Sequence, residues 1–306
     1  MWNHGAMTET PTTSASAPES TSEPTATSTS WRDLSPTPDL GLVVLDMDGT
    51  LLRADGTVPQ GFWDLLPVMQ DRGIVVVPAS GRQHATLHDM FGDHGIRTYL
   101  AENGTVVVHD DEVVATSPLS DDTVQQCISA VRGTDRRLGL VICTPEVAYV
   151  ESSDHEFLDE AAKYYHSLKQ VDDLTTVDTP VVKVAVFAFG SAEDAAPGLF
   201  TGEDAAAPEV DENNAVVISG ANWIDIMRTD ANKGAALRDL QKELGVSPAD
   251  TAVFGDYLND LEMIGEGDLS FAMANAHPGI TEAANYTAPA NTEDGVVQVL
   301  RQLLGV

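Results

Sequence analysis

From residue 39 onward, short aliphatic runs alternate with amphipathic stretches. Leu42-Val43-Val44-Leu45, Ile74-Val75-Val76-Val77 and Thr251-Ala252-Val253-Phe254 are apolar at consecutive positions, the pattern of strands buried on both faces of a parallel sheet. Elsewhere apolar residues recur at helical spacing: Ala236, Leu237, Leu240 and Leu244 predict a helix over residues 232–244. The alternation predicts an α/β fold with a Rossmann-like parallel-sheet core. Between residues 120 and 222 the texture changes. Helices are expected at 121–131 and near 155–168, strands near 140–143 and at 181–189, and a surface loop or ragged helix at 190–214. The third aliphatic run comes only after this segment, so the segment is expected to be an α+β domain inserted into the first. The expected division is 39–119 and 226–306 for the core and 120–225 for the insert.

Ahead of the core, residues 8–30 contain 14 Ser or Thr among 23 positions, too little apolar area to offset the entropy of ordering. Residues 1–38 are therefore expected to be a disordered Ser/Thr/Pro-rich tail, in which Met7 offers a second start. Acids outnumber bases by 48 to 16, for a net charge of −32. So negative a surface repels nucleic acid and anionic membranes, and a phosphorylated ligand would need a local positive site. No run of apolar residues is long enough to span a bilayer. The first thirty residues lack the basic and apolar regions of a signal peptide, so a cytoplasmic location is expected. Cys127 and Cys143 are too few and too far apart for a zinc site or a disulfide framework, and are expected to be buried free thiols.

The ends of the aliphatic runs carry the chemistry. The first run ends in Asp46-Met47-Asp48-Gly49-Thr50, the second leads into Ser80-Gly81-Arg82, and the third breaks into Gly255-Asp256. In an open α/β sheet the carboxyl ends of the strands form the ligand edge. Asp46 and Asp48 lie too close to ionise together without a cation or a shared proton, and a hard divalent cation is the simplest resolution. Thr50 and Ser80 offer hydroxyls, and Gly49 and Gly81 offer backbone N–H groups that can approach an anion. Lys233 at a helix N-terminus is locally unfavourable unless an anion binds there too. Asp256 and Asp260, flanking Tyr257-Leu258-Asn259, suit either a metal shell or a helix N-cap.

Asp46-Met47-Asp48-Gly49-Thr50-Leu51-Leu52, Ser80-Gly81-Arg82, Asn232-Lys233-Gly234 and Gly255-Asp256-Tyr257-Leu258-Asn259-Asp260 resemble the four ordered motifs of the haloacid dehalogenase superfamily. Within it the chain resembles the Cof-type sugar-phosphate phosphatases, whose α/β cap is inserted between the second and third motifs. Glu102-Asn103-Gly104, Trp223-Ile224-Asp225-Ile226-Met227 and Asn291-Thr292-Glu293-Asp294-Gly295-Val296 add to that likeness. The resemblance implies that Asp46 is the nucleophile, Asp48 the general acid and base, and Lys233 the charge-neutralising cation. It implies Mg²⁺ held by Asp46, the Asp48 backbone carbonyl and Asp256, with Asp260 and Asn259 nearby. Gly49, Thr50, Ser80 and Gly81 would hold phosphoryl oxygens, and Arg82 and Asn103, next to motif positions, would contact substrate. The expected activity is Mg²⁺-dependent hydrolysis of small phosphorylated metabolites, sugar phosphates above all, through an aspartyl-phosphate. A phosphomutase and a non-catalytic phosphometabolite-binding regulator are the alternatives. In the cap, Lys183, Tyr164 and His155 are candidates for specificity, each also readable as a snorkelling or core residue.

Overall fold

A computed structural model describes residues 29–37, 39–202, 205–207, 210 and 214–306. In chain order the first half runs β1 (Thr29–Ser30), β2 (Leu42–Asp46), α1 (Gln60–Asp71), β3 (Val75–Ala79), α2 (His84–Phe91), β4 (Tyr99–Ala101), β5 (Val106–His109) and β6 (Glu112–Thr116). The insert follows: α3 (Asp121–Arg132), β7 (Leu138–Cys143), β8 (Ala148–Val150), α4 (His155–Ala161), β9 (Leu168–Gln170), β10 (Lys183–Ala188), α5 (Ala192–Ala195), β11 (Asn214–Ile218) and β12 (Trp223–Arg228). The chain then returns through α6 (Lys233–Leu244), β13 (Thr251–Gly255), α7 (Leu261–Ile264), β14 (Leu269–Met273), α8 (Pro278–Ala283), β15 (Tyr286–Ala288) and α9 (Gly295–Leu304).

One nine-stranded sheet has the order β1-β15-β14-β13-β2-β3-β4-β5-β6. It is parallel from β1 to β4 and antiparallel through β5 and β6. Along β2, Val43 and Leu45 pack into the layer holding Phe62 and Leu66 of α1 and Leu300 of α9, while Leu42 and Val44 meet Leu237 and Leu240 of α6. The period of two thus divides β2 between two helical layers, which is why the run is apolar throughout. β2 lies between β3 and β13. The strand order turns back at this point, and the crevice beyond such a reversal is where an α/β sheet takes its ligand.

The second sheet, β11-β12-β10-β7-β8-β9, belongs to the insert and is antiparallel except between β8 and β9. Ile142, Val184, Val186, Ile224 and Ile226 face α3 in a core of their own. Val141, Cys143, Ala185, Phe187 and Trp223 line the opposite face and join the buried cluster of the first sheet. Both cysteines are free and buried. Among the described residues, no helix is long and apolar enough to cross a membrane.

Three expected boundaries need correction. Of the expected tail, 1–28 and 38 lie outside the described residues, but 29–37 are anchored to the core at several points. β1 pairs with β15, Trp31 is buried, and the Thr37 N–H donates to Leu303 O at 2.8 Å. Trp31 and Leu34 provide the apolar contact that the Ser/Thr run lacks. The insert does not end at 225, because β12 continues to Arg228 with Ile224 and Ile226 directed into its core. The helix near 155–168 stops at Ala161. Its continuation is given up to tertiary bonds, with Lys163 O accepting from Arg82 Nη1 and Tyr164 O from Thr86 Oγ1.

Candidate active site

Asp46 is the last residue of β2, in register with Ala79 of β3. After it the chain folds tightly, with the Leu51 N–H donating to Asp46 O and that of Leu52 to Met47 O. Gly49 in this turn has φ +88°, and a Cβ there would stand 2.1 Å from Asp256 Oδ2. The glycine thus serves both the turn and the approach of Asp256. Asp256 follows β13, and its N–H donates to Asp260 Oδ2 at 3.0 Å. Gly255 leaves room for the Asp260 side chain, which a Cβ would meet at 2.7 Å. Lys233 opens α6, whose N-cap Asn232 accepts from the Ala235 N–H at 2.8 Å.

These elements converge on one buried cluster. Lys233 Nζ donates to Asp46 Oδ1 at 2.6 Å and to Asp260 Oδ1 at 2.7 Å, and neither Lys233 nor Asp260 is exposed at all. Asp46, Asp256 and Asp260 each bring a carboxylate oxygen within 4.8 Å of the others. Burial first, then Asp260 and Asp256, hold the Asp46 carboxyl well above the usual range against the pull of Lys233. Burial and Asp260 push Asp256 up to about 6. Burial works against the Lys233 ammonium, but Asp260 and Asp46 outweigh it and raise its pKa. Three carboxylates thus face one ammonium, and the buried Asp46 Oδ2 has no hydrogen-bond partner. An uncompensated negative cluster of oxygen donors with an orphaned buried oxygen fits a hard divalent cation.

Asp48 is turned elsewhere. Arg82 donates to it through both Nε (2.9 Å) and Nη2 (2.6 Å), and the Asp48 side chain is 58% exposed against 15% for Arg82. Any part it takes in holding a cation is therefore left to its backbone carbonyl. Burial opposes the Arg82 charge, but Asp48 offsets this and the guanidinium pKa rises. Ser80 Oγ accepts from the Arg82 N–H at 3.2 Å, so the hydroxyl proton stays available to a ligand. The Thr50 hydroxyl donates to Asp256 Oδ1 at 3.3 Å. Asn103, with φ +59°, donates to Asp225 Oδ2 and accepts from Asn259 Nδ2.

A cavity of about 470 Å³ opens over this edge, lined from the core by Asp46, Asp48, Ser80, Gly81, Arg82, Asn103, Asp256 and Asn259. From the insert come Tyr164, Tyr165, Lys183, Asn222, Trp223 and Asp225. Thr50, Lys233 and Asp260 lie buried behind its wall. His155 is exposed on α4 and does not line it. Glu102 and Asp225 also stand at the site, although neither is among the residues expected there. Asp225 carried a signal, a lone acid within the apolar run Trp223-Ile224-Asp225-Ile226, a placement that demands a partner when buried, whereas Glu102, followed by Asn103-Gly104, had none.

The sequence profile of the haloacid dehalogenase-like hydrolases matches residues 43–300. The chain is 30% identical over 266 residues to the 5-amino-6-(5-phospho-D-ribitylamino)uracil phosphatase of Escherichia coli, covering 86% of this chain and 96% of that protein. It is 26% identical over 239 residues to an Escherichia coli HMP-PP phosphatase, covering 78% and 85%. Among solved structures, a Streptococcus mutans protein superposes with a TM-score of 0.76 at 25% identity, over 87% of this chain and all of the other. A haloacid dehalogenase-like hydrolase from B. subtilis gives 0.73 at 24% identity, over 86% and 99%, a likeness of fold.

Proposed function

Given that the chain belongs to the haloacid dehalogenase-like hydrolase family and is a phosphoric monoester hydrolase, we propose that it cleaves small phosphorylated metabolites, sugar phosphates foremost, through an aspartyl-phosphate on Asp46. One observation carries this reading. Asp46 lines the cavity with one carboxylate oxygen held by Lys233 at 2.6 Å and the other without a partner. The Asp46 carboxylate is the attacking group: its bond to phosphorus forms as the bond from phosphorus to the leaving oxygen breaks. Asp48 gives that oxygen a proton, then takes one from the water that attacks the acyl phosphate, which frees Asp46 and inorganic phosphate.

Asp48 can carry a proton only when Arg82 loosens its two-pronged hold, and an incoming phosphoryl group competes for the same guanidinium. The Ser80 hydroxyl and the Gly81 loop supply donors to the phosphoryl oxygens, and Lys233 offsets charge on Asp46. Asp46, Asp256 and Asp260, with the Asp48 backbone carbonyl, would hold Mg²⁺, which when bound neutralises charge on the transferring group. The polar lining from Ser219, Asn222, Arg82 and Asn103 suits a hydroxylated leaving group.

The test is phosphate release from a panel of sugar phosphates, ribitylaminopyrimidine phosphates and pyrimidine diphosphates, with Mg²⁺ and with excess EDTA. Release from sugar phosphates only with Mg²⁺ is expected. Full activity in EDTA, or an isomerised sugar phosphate without free phosphate, would overturn the reading.

A further inference from the structure

Lys183 and Asp225 project from the same face of the insert's sheet, since Asp225 is in register with Ala185, two residues beyond Lys183. That face is turned toward the first sheet, and both side chains are buried. Three oxygens surround the Lys183 ammonium. It donates to Gly81 O at 3.0 Å, meets Glu102 Oε2 at 2.5 Å, and lies 3.6 Å from Asp225 Oδ2. The Tyr165 ring covers it at 5.5 Å. Asp225 Oδ2 in turn accepts from Asn103 Nδ2 at 3.0 Å, Asn103 Oδ1 accepts from Asn259 Nδ2 at 3.2 Å, and the Asn103 N–H donates to Ser80 O at 2.9 Å.

Two charges from the insert are thus bonded to the backbone of one loop at the site and to the side chain that braces another. The Gly81 carbonyl bound by Lys183 fixes the plane of the peptide that also carries the Arg82 N–H, itself on Ser80 Oγ. Asn103 sits at a left-handed φ directly after Glu102, which does too, and two such residues in succession persist where surrounding bonds over-determine them.

We propose that Lys183 and Asp225 are positioning residues, which set the Ser80–Arg82 loop and Asn103 in their phosphoryl-binding arrangement when the insert is seated on the core. The proposal rests on reading that loop as the phosphoryl-binding loop. Its consequence is that the insert does more than select the leaving group: its seating completes the site on the core.

The experiment separates positioning from mere burial of charge. Lys183→Met leaves Glu102 and Asp225 buried beside each other, so both Tm and kcat should fall. Adding Glu102→Gln removes one of these two buried acids and returns the cluster to its original net charge, so it should recover most of the lost Tm. In this double variant, kcat on an aryl phosphate should stay roughly ten- to a hundredfold low, and inhibition by inorganic phosphate should weaken, because the Gly81 carbonyl still lacks its donor. Wild-type kcat and phosphate inhibition in the double variant would overturn the proposal.

Asp225 gives a second reading should the lysine variants fail to fold. Asp225→Asn keeps an acceptor for Asn103 and should retain kcat within about threefold, while Asp225→Ala should lose about tenfold or more. Equal activity of those two variants would count against positioning through Asn103. If the unmodified protein releases no phosphate from any monoester, the reading of the site fails, and with it the premise of this one.

Discussion

The two strand-end aspartates are the sharpest test at the scale of single residues. Asp46→Asn keeps size and hydrogen bonding to Lys233 but removes the proposed nucleophile, so turnover should fall to background with no phosphoenzyme. Asp48→Asn leaves Asp46 in place and deletes the proposed proton transfer, a role typically worth roughly 10²–10⁴-fold. The loss should be smallest for aryl phosphates, whose leaving groups need no proton, and phosphoenzyme should persist. Rapid-quench trapping with labelled substrate compares the two, and phosphoenzyme in Asp46→Asn would reverse the assignment. Asp46, Ser80 and Asp256 were legible in the sequence because each follows an apolar run that must end at the ligand edge. Lys183 was harder to read. A lone lysine between Val182 and Val184 is also what a snorkelling side chain looks like, and only the folded chain brings Glu102, Asp225 and the Gly81 carbonyl around it.

Among the elements, α6 shows how far local rules reach. Its expected span of 232–244 matches Lys233–Leu244 with Asn232 as cap, since the cap residue and the apolar spacing are both local signals. Gly234 breaks the local rule. Alanine is the better helix former by about 1 kcal/mol, yet a Cβ at Gly234 would meet the Glu262 backbone at 2.5 Å. Gly234→Ala should therefore destabilise the protein in urea unfolding by more than the ~1 kcal/mol expected for Asn232→Ala, and should lower kcat by shifting Lys233. A gain in stability would show that α6 and α7 can part without consequence. The helix expected to reach 168 illustrates the opposite limit. Its sequence can continue as a helix, but the carbonyls of Lys163 and Tyr164 are taken by Arg82 and Thr86 from distant positions, and periodicity carries no trace of such partners.

For the whole molecule, alternating strands and helices made the parallel-sheet core legible. The end of the insert was misread because β12 carries both its pairing and the approach to Lys233. A chain of net charge −32 that also buries an excess of carboxylates at its sheet edge should gain stability from a bound divalent cation. Mg²⁺ at a hundred times its Kd should add about 2.7 kcal/mol, or roughly 5 °C in Tm for a protein of this size. NaCl of equal ionic strength, which only screens surface charge, should not reproduce the shift, and Asp256→Asn should lose most of it. An equal rise with NaCl would mean that no such site is filled. The chain has five lysines, and two of them, Lys183 and Lys233, are wholly buried. Amine chemistry therefore sorts itself on this molecule: reductive methylation should mark Lys163 and Lys169 on the insert and Lys242 on the core, hanging a reporter on each half while turnover continues. Slow methylation of Lys183 would then time how often the two halves come apart.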